Sequence, residues 1–100
     1  MKITDFIAAR LDDDDEFIDG IRADLEANPP QGNVASVARG FVVQHDSTRR
    51  LNDTMIVPDG SEVPDNAEHV TICRIVATRW AHHSDFQPEW RWRSHEVRNR

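Results

Sequence analysis

A stripe of five aliphatic residues in the first quarter of this 100-residue chain constrains its fold more than any other feature. The residues follow one another at spacings of four, seven, three and four, which places them on one face of an α-helix: Ile7, Leu11, Ile18, Ile21 and Leu25. Pro29 and Pro30 follow the stripe, and proline cannot continue a helix because it lacks a backbone donor. The pattern therefore predicts a helix over about 5–27, with Thr4 as its N-cap.

The segment 34–57 carries the second apolar pattern. Its apolar residues recur at spacings of three and four: Val34, Val37, Ala38, Phe41 and Val42. This spacing predicts a helix, for which Asn33 is a candidate N-cap. The run 41–43 also fits the core of a strand, and Asp46 or Ser47 is a suitable cap for a fresh helix. The segment is therefore predicted either as one helix, as two pieces, or with a strand inside it.

A third helix is predicted after a turn-rich loop that contains Pro58 and Gly60. Asp65 and Glu68 resemble a capping box, in which two side chains satisfy the first backbone donors of a helix. They predict a helix over 66–81. Its core face is expected to carry five residues: Ile72, Cys73, Val76, Ala77 and Trp80.

Together these patterns predict an all-α fold, a small three-helix bundle. Its helices are expected at about 5–27, 34–57 and 66–81. Asp85 is a candidate cap for a short C-terminal helical turn. A chain of 100 residues forms one domain that buries roughly 60–70% of the surface of the unfolded chain. That single helical domain is predicted over 1–91, and residues 92–100 form a basic C-terminal tail.

Acidic residues are concentrated in the predicted first helix. Residues 1–30 hold nine acids and three bases, whereas residues 74–100 hold three acids and six arginines. Four acids of the run 12–16 lie outside the apolar stripe: Asp12, Asp13, Asp15 and Glu16. Such a run is typical of a solvated face, and it also fits a docking strip for a basic partner. The net charge of −6 argues against nucleic-acid phosphates as the default partner.

Asp14 is the exception in this run, because the helical phase places it within the apolar stripe, three residues after Leu11. A buried carboxylate without a partner costs several kcal/mol or takes up a proton. We expect Asp14 either to remain in water or to pair with a donor from the opposite end of the chain. The candidate donors are Arg79, Arg91, Trp80 and Trp90.

Ile75 is an aliphatic residue within the polar stripe of the predicted third helix. A single exposed isoleucine is common on protein surfaces. It also fits a contact with a partner protein or with a second copy of the chain. Ile75 and the small size of the core motivate the hypothesis of a weak homodimer.

Five residues near the third helix have side chains that can bind a metal or act in catalysis: His69, Cys73, His82, His83 and Asp85. His69 and Cys73 are four apart and share one helix face. Structural zinc sites are usually richer in cysteine, however, and a single cysteine on an apolar face is commonly a small hydrophobe. We therefore expect no metal, no cofactor and no enzymatic activity. His82 and His83 are expected to cap the last carbonyls of the helix.

The C-terminal tail interleaves aromatic and guanidinium groups, as proteins that bind single-stranded nucleic acid do. The residues concerned are Arg91, Trp92, Arg93, Arg98 and Arg100. This pattern makes nucleic-acid binding the alternative function. The lone Cys73 cannot form an intrachain disulfide, the amino terminus lacks a signal-peptide apolar stretch, and no apolar run approaches the ~20 residues of a membrane helix. We expect a cytoplasmic protein without membrane attachment.

Three stretches resemble a known protein family. Nine residues near the C-terminus resemble the pattern L-A-x-x-Y-A-x-H-x-D-Y-x-x-E-W-R: Ala77, Trp80, Ala81, His83, Asp85, Phe86, Glu89, Trp90 and Arg91. The run 6–16 resembles the opening F-L-x-A-R-L-D-E-D-E, and the run 45–51 resembles H-D-P-A-R-V-L. The family consists of short proteins of actinobacteria and their phages and is catalogued as a domain of unknown function. The resemblance implies a bacterial host cell and no catalytic residue.

The sequence thus predicts a small, acidic, non-enzymatic protein that acts through protein–protein interaction. The resemblance implies phage or host regulation as its setting. The alternative is nucleic-acid binding through the tail at 92–100.

Overall fold

The computed structural model of the chain describes residues 1–58, 63–64 and 66–92. No strand occurs in these ranges, so the prediction of an all-α bundle of three helices is confirmed. The helices are α1 (Ile3–Ala27), α2 (Gly32–Leu51) and α3 (Ala67–Ala77). A π-helical turn (Asn52–Ile56) extends α2, and two 3₁₀ turns (Thr78–Trp80 and Pro88–Trp90) follow α3. No helix in the described part of the chain is both long and apolar enough to cross a membrane.

Helix α1 begins one residue before the predicted cap. Lys2 occupies the N-cap position with an extended backbone and no side-chain capping bond. The Phe6 N–H already donates to the Lys2 carbonyl at 3.0 Å, so Thr4 lies inside the helix and its predicted role as a cap is wrong. The helix ends before Asn28, as Pro29 requires.

The connection to α2 depends on a left-handed glycine. Gly32 has a φ of 63°, a conformation that glycine adopts without the strain a Cβ would introduce. Gln31 is the N-cap in an extended conformation. The predicted cap at Asn33 is therefore wrong, because Asn33 already lies in the first turn.

Helix α2 is continuous through the segment whose structure the sequence left open. The run 41–43 is helical rather than extended, and Asp46 and Ser47 lie in the middle of the helix, so they cap nothing. At Asn52 the helix widens into the π-helical turn, in which the Val57 N–H donates to the Asn52 carbonyl at 2.7 Å. The segment is thus one helix with a widened last turn.

Helix α3 is capped by Asn66 rather than by the predicted Asp65 and Glu68 pair. The Asn66 side chain accepts a hydrogen bond from the His69 N–H at 2.8 Å. Asp65, the predicted cap, lies outside the described residues. The α-helix ends at Ala77 and a 3₁₀ turn continues it to Trp80, whereas the sequence predicted a helix to about 81.

The core lies at one end of the bundle and contains seven buried residues: Phe6, Ile7, Leu11, Ile56, Cys73, Ala77 and Trp90. Phe6 is at its centre. Its ring contacts those of Trp80, His83, Phe86 and Trp90 at centroid distances of 6.4, 5.7, 6.0 and 5.2 Å. The predicted core face of α3 is confirmed, because Cys73 and Ala77 are fully buried. Phe6 was missed because it lies one residue before Ile7 and so falls outside the spacing of the stripe.

The chain after α3 is held by backbone bonds rather than by the predicted side-chain caps. The His83 N–H donates to the Trp80 carbonyl at 2.9 Å. The His83 ring accepts from the Asp85 N–H at 3.0 Å, so this imidazole does not cap α3. Asp85 also caps no helix, since the final 3₁₀ turn begins at Pro88 with Gln87 in the cap position.

Phe6→Ala and Phe17→Ala provide a matched test of this core, because both residues lie on α1. We expect Phe6→Ala to lower the free energy of unfolding by about 3–5 kcal/mol, since it removes a fully buried ring and leaves a cavity. Phe17 is 63% exposed, so its truncation is expected to change stability by about 0.5 kcal/mol or less. Urea titration followed by tryptophan fluorescence measures both. Equal losses in the two variants would contradict the assignment of the core.

Candidate partner-binding groove

Helices α1 and α2 form an antiparallel pair that is joined along one side by charged and polar residues. We call this set the polar seam: Asp12, Asp15, Arg22, His45, Asp46 and Arg49. Arg49 donates to Asp12 at 3.1 Å and to Asp15 at 2.5 Å, and Arg22 pairs with Asp46. The seam fixes the register of the two helices.

Asp15 pairs with two residues of the polar seam, His45 and Arg49. His45 is buried, and its Nε2 lies 2.6 Å from Asp15 Oδ1; because a carboxylate only accepts, Nε2 is the donor. Burial alone raises the pKa of Asp15. The hydrogen bond from His45 and the charge of Arg49 outweigh that effect and leave the pKa below its ordinary value.

The acidic run therefore has partners inside the chain. Asp12 and Asp15 bond to Arg49, and Asp13 lies 3.0 Å from Arg10 in the preceding turn. Glu16 is exposed and has no ion pair among the residues that the structure describes. The complementary charge was expected at the C-terminus, whereas most of it lies on α2. The spacing of His45 and Arg49, four residues apart on one helix face, was the available signal.

Asp14 lies beside Arg79, one of its four predicted partners. The closest approach of the two side chains is 3.9 Å, which is an ion pair without a hydrogen bond. Asp14 is also 36% exposed. The prediction of its neighbour was right, but the expectation of a buried pair was wrong. Arg79 donates instead to Thr48 of α2 at 3.2 Å and stacks on Trp80.

On the side of the pair away from the polar seam, apolar residues of both helices line an open depression, which we call the groove. Its floor and walls are formed by Ile21, Val34, Val37, Ala38 and Phe41. Its volume is about 420 Å³. Val37 is 59% exposed and Phe41 is 46% exposed. The predicted apolar face of α2 is therefore largely outside the core, to which the segment 34–57 contributes Ile56.

The groove exists because α3 is too short to cover the whole α1–α2 pair. Arg79, in the 3₁₀ turn that follows α3, contacts Asp14 and Thr48. Ile21 lies seven residues after Asp14 on α1, and Phe41 lies seven residues before Thr48 on α2. A spacing of seven returns to the same helix face. The groove is thus the continuation of the face on which α3 packs.

One carboxylate lies beside the groove. Asp24 lines the depression that continues the groove and that shares Ile21, Val34 and Ala38 with it. Asp24 is exposed and has no ion pair within the described ranges. Asn33 of α2, which also lines the groove, is exposed and neutral. An approaching chain therefore meets an apolar floor with one acidic residue beside it.

The remaining predicted site residues lie away from the groove. Ile75 is exposed on the outer face of α3, between buried Cys73 and Ala77. Arg91 and Trp92 are exposed at the end of the described chain, and the Trp92 N–H donates to Thr78 at 3.3 Å. Arg93, Arg98 and Arg100 lie outside the described residues. Their roles in partner or nucleic-acid binding remain predictions.

His69 and Cys73 lie together in the core. His69 Nε2 donates to the Ile56 carbonyl at 2.9 Å, and Cys73 Sγ lies 3.7 and 3.8 Å from the two ring nitrogens. Burial raises the pKa of the Cys73 thiol, so the thiol is both protonated and inaccessible. Within residues 1–58, 63–64 and 66–92, no three His, Cys, Asp or Glu side chains converge on a point where a metal ion would fit.

Comparison of the chain with protein families, with curated proteins and with solved structures finds no match. The resemblance to the actinobacterial and phage family therefore remains a prediction. Function is therefore inferred from the geometry of the groove.

Asp15→Asn tests the polar seam through its pH dependence. Because the folded-state pKa of Asp15 lies below the ordinary value of 3.8, its stabilising effect is complete well above that pH and is lost as the pH falls through the folded-state pKa. We expect Asp15→Asn to lower the free energy of unfolding by about 1 kcal/mol at pH 7, a value limited by solvent screening. The difference from wild type should shrink as the pH falls below 3.8 and through the folded-state pKa.

The matched control is Asp13→Asn, whose partner Arg10 lies on the same helix. A pair at this spacing contributes about 0.2–0.5 kcal/mol. Chemical denaturation of the three proteins between pH 2 and pH 7 measures the effect. If Asp13→Asn and Asp15→Asn behave alike at every pH, the seam does not stabilise the fold.

Proposed function

We propose that the protein is a non-enzymatic binding module that holds a helix of a partner protein in the groove. The observation that supports this proposal most directly is the exposure of Val37 and Phe41 next to half-buried Ala38 and Ile21. Contiguous apolar surface of this kind is typical of an interaction site. Isolated apolar residues, such as Ile75, carry no such implication.

A helix fits the groove better than an extended peptide does. The groove lies between two antiparallel helices, in line with the position of α3, and two helices with an apolar depression between them accommodate a third helix. An extended peptide gains most of its affinity from backbone bonds to a strand edge. The walls of the groove are helices, whose backbone groups are already bonded internally.

The protonated, buried thiol of Cys73 supports a binding role over a nucleophilic one. The acidic composition, with a net charge of −6, is suited to an interaction with a basic protein segment. With the resemblance to actinobacterial and phage proteins, these features favour a role in phage or host regulation. We propose a bacterial protein as the partner.

Val37→Glu and Val43→Glu test the proposed function, because both residues are exposed valines of α2 and only Val37 lines the groove. Each tagged variant is used to capture proteins from an actinobacterial lysate, with circular dichroism as the check of folding. We expect Val37→Glu to abolish retention of a partner that wild type and Val43→Glu both retain, since a carboxylate in the groove must be desolvated on binding. Equal retention by all three proteins would contradict binding in the groove.

A further inference from the structure

We draw no further inference here: the strongest candidate, the apolar groove between α1 and α2, belongs to the site already described, and nothing in the described part of the chain shows the chemistry of what covers it.

Discussion

The length of α3 is the constraint on which the rest of the structure depends. Helices α1 and α2 have 25 and 20 residues, whereas α3 has 11. At about 1.5 Å per residue, α3 covers about half of the antiparallel pair. The covered half contains the aromatic core around Phe6. The other half consists of two helices that pack on one another alone, and a two-helix pair buries only one side of each helix.

The uncovered half is held by different forces from those in the core. Ile18 and Ala35 are buried between α1 and α2, and the ion pair of Arg22 with Asp46 lies on the seam side. Exposed ion pairs contribute about 0.2–1 kcal/mol each, so the seam adds little stability. Its contribution is register: each seam residue of α1 meets a complementary residue of α2, and a shifted pairing would bring like charges together. The groove can therefore stay open without loss of its geometry.

The sequence predicted the elements of this fold better than their packing. Helix positions followed from periodicity, and the stop at Pro29 and the core face with Cys73 and Ala77 were found directly. The caps at Thr4 and Asn33 were wrong because a favourable cap residue does not fix where the first backbone bond forms. The groove was not found, since Val37 and Phe41 have the spacing of a core face. Periodicity identifies an apolar face and cannot tell whether another element of the same chain covers it.

Asp14 was the one residue whose position in the sequence indicated where the groove begins. A carboxylate within an apolar stripe is costly if the stripe is buried throughout. The cost disappears if the helix that covers the stripe ends at the level of the carboxylate. That is the arrangement here, because Arg79 of the 3₁₀ turn after α3 lies 3.9 Å from Asp14. Beyond this point the apolar stripe continues with Ile18, which is buried, and with Ile21, which nothing in the described part of the chain covers fully. A charge that interrupts an apolar face thus marks the boundary between the part that α3 fills and the part that is open to a partner.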